Sequence, residues 1–384
     1  MAEYLNTIKP KYPVLGEVIE RLALCALNKQ IHELTTEIIR STDLLVGTLN
    51  SADLAQFLSG FVSNYASRMN PVDLLKFSSR VALSDESDGV SVIVFLEKYM
   101  KQIDSCKDAV VLFRVLRGEV SMKKQGNLVA ARTEIDSIDV LLNDPVWSHA
   151  VSGYVCGLFH LVAAELFLSL GNNDLEFYSH LVKYMRYSGK ESVHSDITKQ
   201  AGVIALVHPE INDFGELLSL SAFSEGGSSP AWITDLLRAT HQGDFQLYNR
   251  AIELHKTELS ANNAELYKKI EISVKRKLTM IALSELAAFK TPEKNRRLTF
   301  SQIAQACHVP ITEVETLLMT TMGTGLVTGV IDQVESTVVI TSVKPRMLNP
   351  DRIMLLQSRI NGWANRAQIL LEKMSQVTPQ LLLA

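Results

Sequence analysis

Side chains able to do acid–base, nucleophilic or metal chemistry are thinly spread along this chain. Its nine histidines show no HExxH spacing, which would set two imidazoles on one helix face around a metal, and no pairing with nearby carboxylates. Cys25, Cys106, Cys156 and Cys307 stand alone, without a CxxC pair. That pattern suggests neither a zinc cage nor a disulfide framework and fits a reducing compartment. No GxxxxGK[ST] phosphate loop and no GxSxG nucleophile elbow occurs. Gly323-Thr324-Gly325-Leu326-Val327-Thr328-Gly329 resembles a dinucleotide loop, but it follows a helical pattern and enters a strand pattern. A phosphate cradle requires the opposite order, so that a helix N-terminus faces the anion. These glycines are expected to be turn residues. No catalytic residue, cofactor site or metal ligand is assigned, and the chain is expected not to be an enzyme.

With no chemistry to position, the elements themselves carry the information, above all the stretch from Leu298 to Thr341. Thr299 precedes Gln302 by three residues and Thr312 precedes Glu315 by three, the sequence form of a capped helix start. The spacing predicts one helix from about Ser301 to Cys307, carrying Ile303 and Ala306 inward. It predicts a second from about Glu313 to Met322, with Val314, Leu317, Leu318 and Thr321 on one face. Pro310 separates them. Val327–Ile331 and Thr337–Thr341 are β-branched runs joined by Asp332–Ser336, which predicts an antiparallel hairpin. The whole reads as a helix-turn-helix with a two-stranded wing.

Such a module can read DNA, with its second helix in the major groove and basic residues on the phosphates. From Leu298 to Thr341, however, there is no Lys or Arg, while Glu313, Glu315, Asp332 and Glu335 are acidic. Phosphate neutralisation supplies most non-specific affinity, so this surface would repel nucleic acid. Lys294, Arg296 and Arg297 just upstream read as a solvated loop. Docking of another protein is the expected use, with a winged-helix nucleic-acid regulator as the alternative.

From Val14 to roughly Leu259 helical patterns follow one another across short polar breaks. Gly126-Asn127, Gly171-Asn172 and Gly243-Asp244 each separate two apolar helical runs. There the glycine allows a sharp turn and the Asn or Asp starts the next helix. The spacings approach the period of tetratricopeptide-like arrays, which predicts a curved, right-handed stack of helix pairs with a long exposed surface. Ser84–Gly89 and Ser224–Pro230 are expected as exposed loops.

The expected class is mainly α: an α-solenoid of TPR-like repeats, a winged-helix module and a C-terminal helix. The expected division is 1–170 for the first repeats, 171–345 for further repeats (171–265) with a linking helix and winged helix (266–345), and 346–384 for the last helix. With 384 residues and 47% hydrophobic composition the chain can bury a substantial core. A net charge of −4 argues against nucleic acid or an anionic membrane as general partner. Tyr154–Leu170 is apolar but short for a membrane span and contains His160 and Glu165, so a buried helix is expected. The first residues lack a secretory pattern, which places the expected location in the cytoplasm and nucleus.

Ala264–Phe289 reads as one long helix with Leu266, Ile270, Val274, Leu278 and Ile281 on a stripe. Its Lys275-Arg276-Lys277 cluster is expected on a solvated face or against an acidic neighbour. A last helix begins at Asn349-Pro350-Asp351. Its apolar residues Ile353, Leu356, Ile360, Trp363, Ala367, Leu370 and Met374 alternate three and four apart, the seam of a helix packed along other helices. The seam either joins a bundle with other chains or folds back on its own wing.

Taken in order, Gln242-Gly243-Asp244-Phe245, Met280–Ala287, Leu298–Ala304, Glu313–Met319, Gly325–Val334 and Val343–Leu348 resemble the PCI domain family. PCI names the module shared by the proteasome lid, the COP9 signalosome and translation initiation factor 3. The resemblance implies a non-catalytic scaffold of the proteasome lid in ubiquitin-dependent degradation, or alternatively a subunit of one of the other two assemblies. It implies that winged helices of PCI-containing subunits associate side by side and that C-terminal helices gather in a bundle. On that basis the expected partner-facing residues are Val327, Val338, Val339 and Ile340 on an unpaired wing edge, and Ile353, Leu356, Ile360, Trp363, Leu370 and Met374 on the C-terminal seam.

Overall fold

The computed structural model describes residues 11–84, 89–171, 174–188, 195–224, 227–261, 264–289, 297–347 and 350–377. The chain divides into two compact units, Met1–Val193 and His194–Ala384. Only the longer helices are numbered below.

In the first unit these are α1 (Gly16–Leu27), α2 (Ile31–Arg40), α3 (Pro71–Leu83), α4 (Lys107–Lys123), α5 (Leu128–Asn143), α6 (Gly153–Leu170) and α7 (Asp174–Tyr187). Neighbouring helices pack as pairs, α4 on α5 and α6 on α7, with α4 also lying against α3 and α6. Helix α6 is long and apolar enough to cross a membrane. Its burial shows another use: Phe159, Val162, Ala163 and Leu166 are sealed among α4, α5 and α7, as expected of the central helix of a stack.

The second unit continues with α8 (Ser195–Val207), α9 (Ala231–Gln242), α10 (Phe245–Ala261) and α11 (Ala264–Phe289). Then follow β1 (Arg297–Thr299), α12 (Phe300–Cys307), α13 (Ile311–Gly323), β2 (Val327–Asp332), β3 (Thr337–Val343) and α14 (Pro350–Val377).

The turns anticipated from the sequence have the geometry that makes glycine necessary. Gly126, Gly171 and Gly243 lie at φ +65°, +74° and +72°, a region costly for side chains bearing a Cβ. Asn127 then caps α5 by accepting from the Ala130 N–H at 3.1 Å, and Asp244 accepts from the Gln246 N–H at 2.8 Å to start α10. Asn172 lies outside the described residues, as do 85–88 of the Ser84–Gly89 loop and 225–226 of the Ser224–Pro230 loop. In the second loop Ser224 is exposed as expected, but 227–230 are half-buried, with the Ser229 N–H donating to Ala222 O at 3.1 Å.

Helix α11 is the spine of this unit. Ile270, Val274, Leu278 and Ile281 are buried as the stripe predicts, while the Leu266 side chain is outside what is described. Along its length α11 packs first against α8, α9 and α10, then against α12, α13 and β3. The basic cluster departs from expectation. Lys275 pairs with Glu271 on the same helix at 2.7 Å, but Lys277 is only 1% exposed. Its Nζ donates to Ala205 O at 2.6 Å and Ile211 O at 2.8 Å and lies 5.3 Å from the Phe214 ring centroid. Lys277 is thus a cap on the carbonyl end of α8, not a surface charge. Burial pushes its ammonium down to about 7.

Candidate partner-docking surfaces

The winged helix is built around a capping box. Thr299 Oγ1 accepts from the Gln302 N–H at 3.4 Å, and Gln302 Oε1 accepts from the Thr299 N–H at 3.3 Å. Phe300, Ile303 and Cys307 point inward from α12, and Ala306 is only half-buried. From α13 come Val314, Leu318 and Thr321, with Leu317 at the margin. Thr312 caps nothing, because α13 already begins at Ile311 behind Pro310. These side chains meet Leu283 and Ala287 of α11 and Leu298, Val327, Val338 and Ile340 of the strands in one core.

The wing has three strands, not the two expected, in the order β1-β3-β2. Val338 pairs with Leu298 on one side and Ile331 on the other, and Val339 with Arg297 and Val330. The expectation of an unpaired edge is therefore corrected at Val338 and Val339, where β3 is flanked by strands on both sides, while Ile340 pairs with Gly329 of β2. Strand alternation then aims Val338 and Ile340 into the core, where they are 0% and 2% exposed, and turns Val339 outward at 41%. Val327, also 0% exposed, keeps its side chain inside. Its strand β2, however, pairs among the described strands only with β3, so its other side is a sheet edge. The cue for β1 was the single apolar residue of Arg297-Leu298-Thr299 just before a capped helix, too short for periodicity to reveal.

The outward face of the sheet exposes apolar side chains among polar ones. Val330 (67% exposed) stands opposite Val339, and Val334 at the hairpin tip is 97% exposed. Arg297, expected in a loop, sits on β1 and its guanidinium reaches Glu335 at 2.5 Å and Asp332 at 3.6 Å. Lys294 and Arg296 lie outside the described residues. Helix α13, in the position of a DNA-reading helix, carries Glu313 in its first turn and no Lys or Arg. Phosphates would meet no cation there.

Helix α14 begins with Pro350 at its first position, and Asn349 lies outside the described residues. Every described side chain on it is exposed. Ile353, Leu356, Ile360, Trp363, Leu370 and Met374 are 46–68% exposed, so the seam is assembled on one face and does not fold back on the wing. The two sets of expected partner-facing residues therefore separate. The seam residues lie together at the surface, whereas three of the four wing residues belong to the core.

Buried polar groups elsewhere are structural in character. His160 and His180 face each other with their Nδ1 atoms 3.0 Å apart, one ring N–H donating to the other ring's nitrogen. Burial, and then the cation of Lys183, pushes His180 down to about 4; burial, His180 and Lys183 push His160 down to about 3. The Asp139 carboxylate opposes the shift at His180 without cancelling it. His255 meets Asp235 at 2.9 Å. Among the described residues no three His, Cys, Asp or Glu side chains converge as a metal site would require.

Comparison with known proteins accords with this architecture. The family described as PSD13 N-terminal repeats matches residues 22–237, and the PCI domain matches residues 253–342. The chain is 27% identical over 398 residues to 26S proteasome non-ATPase regulatory subunit 13 of Dictyostelium discoideum, covering 99% of this chain and 98% of that one. It is 26% identical over 399 residues to the subunit 13 homolog B of Arabidopsis thaliana, covering 100% and 99%. Against the probable 26S proteasome regulatory subunit rpn9 of Schizosaccharomyces pombe it is 29% identical over 272 residues, covering 70% and 66%. Since the repeat match alone takes in more than half of the 384 residues, the chain belongs to the PSD13 family, with N-terminal helical repeats followed by a PCI domain.

Proposed function

We propose that this chain is a non-catalytic scaffold subunit of the 26S proteasome regulatory particle lid and acts in ubiquitin-dependent protein degradation by holding other subunits in place. End-to-end similarity to proteasome non-ATPase regulatory subunit 13 proteins carries the reading. The exposed seam of α14 supports it, because an isolated helix with this much uncovered apolar surface is marginal in water and gains stability from a partner. In this reading the seam joins a helical bundle of lid subunits. The β2 edge and the outward Val330–Val339 face meet the winged helix of another PCI-containing subunit, main-chain hydrogen bonds extending the sheet across the contact. The subunit works in the cytoplasm and nucleus, where the proteasome acts, and uses no cofactor, nucleic acid or membrane.

Native purification of the tagged chain followed by mass spectrometry tests this. Stoichiometric recovery of lid subunits is expected. Recovery of signalosome or initiation-factor subunits in their place, or of the chain alone, would overturn it.

A further inference from the structure

All four basic residues of α14 occupy one register position. Arg352, Arg359, Arg366 and Lys373 follow one another at intervals of seven, the repeat of the seam itself. At 100° per residue Arg359, Arg366 and Lys373 run along one flank of the apolar stripe, roughly 70–110° from its mean direction. Arg359, Arg366 and Lys373 are exposed beside Ile360, Trp363, Leu370 and Met374. The opposite flank carries Gln357, Ala364 and Leu371, and the back of the helix Ser358, Asn361, Asn365, Gln368 and Glu372, with no further cation.

Charges flanking a heptad seam select the partner and its orientation. We infer that the α14 seam is specific for a heterologous amphipathic helix that lines one flank of its own apolar seam with Asp or Glu at heptad spacing. This rests on the docking role proposed above and adds the partner's charge pattern to it. A second copy of this chain fits poorly. Antiparallel pairing would set the arginine stripes against each other, and parallel pairing would set them against Gln357, Ala364 and Leu371. A lipid surface also fits poorly, because interfacial helices spread Lys and Arg over the polar face, whereas here that face has none.

The full-length chain should be titrated with two labelled synthetic helices sharing a leucine seam, one flanked by Glu and the other by Lys. The Glu-flanked peptide is expected to bind about tenfold tighter, with the difference shrinking as salt rises. The triple variant R359E/R366E/K373E is expected to reverse the preference. That gain of binding to the Lys-flanked peptide cannot come from misfolding. Equal affinity for both peptides would overturn the charge inference while leaving the lid reading intact, provided lid subunits still co-purify. Binding of neither peptide, or binding only to phosphatidylserine vesicles, would overturn it as well, and loss of co-purification with the unmodified chain would instead overturn the lid reading.

Discussion

The Arg346 guanidinium donates to Glu285 Oε1 at 2.6 Å, with the two side chains only 4% and 13% exposed. The same Nη2 donates to His241 O at 2.7 Å, so one side chain ties the segment after β3 to the end of α9 and to the spine helix α11. Where the chain leaves the wing towards α14 is thereby fixed. Removing one member of a buried pair strands the other's charge. Arg346→Ala is expected to destabilise the second unit by about 3–5 kcal/mol, and Glu285→Gln, which keeps an acceptor, by less. Urea unfolding followed by circular dichroism measures both.

A pH effect belongs to the first unit. His160 and His180 are held neutral, at about 3 and about 4, against 6.5 for a free imidazole. Between pH 6.5 and 4 the unfolded chain therefore binds more protons than the folded one, and stability falls as pH falls. Full stability is present above pH 6.5. Below it the loss approaches about 1.4 kcal/mol per pH unit for each imidazole. Unfolding midpoints from pH 7.5 to 4.5 should trace that slope, and replacing both rings by Leu should flatten it.

Most features that depend on local spacing were legible in the sequence, although Thr312, three residues before Glu315 like Thr299 before Gln302, became no cap because α13 starts earlier, at Ile311. The Gly126-Asn127 and Gly243-Asp244 turns, the Thr299–Gln302 box, the buried stripe of α11 and the spacing of the α14 apolar residues all follow from neighbours a few residues apart. What escaped depends on partners far along the chain. Lys277 reads as one of three surface cations until Ala205 O and Ile211 O, more than sixty residues earlier, close over it. Val338 reads as edge until Leu298, forty residues earlier, pairs beside it. Sheet order is a non-local property, and a three-residue strand gives no periodicity to betray it.

Sheet geometry also predicts a specific sensitivity at Gly329. The register of β2 against β3 slips between Thr328 and Gly329, leaving Thr341 bulged. A Cβ on Gly329 would lie 2.5 Å from Val339 O and 3.2 Å from Ile340 Cα. Both are backbone atoms that cannot swing aside. Gly329→Ala is expected to cost roughly 1–3 kcal/mol and to displace the β2 edge, whereas Thr328→Ala, which removes only exposed hydroxyl contacts to Thr341 at 3.0 Å and Ser342 at 2.6 Å, should cost less and leave the edge in place. Thermal unfolding distinguishes the two, and a weakened association of the first variant with other PCI-containing subunits would follow from the shifted edge.

The final prediction separates folding from assembly. Because every described side chain of α14 is exposed, ending the chain after Met347 removes little burial and retains the Arg346 tie. The unfolding midpoint should therefore stay within the scatter of the full-length chain. Assembly should behave oppositely: each seam residue covered by a partner contributes about 1.5–3 kcal/mol before entropy is subtracted. Trp363→Ala alone should then weaken incorporation into the lid by an order of magnitude or more, and the truncation should abolish stable incorporation. Quantitative pull-down beside calorimetry reads both halves. A truncated chain that unfolds early would mean that α14 is part of its own unit's core, and one that still enters the lid at full yield would mean that the seam is not what holds it there.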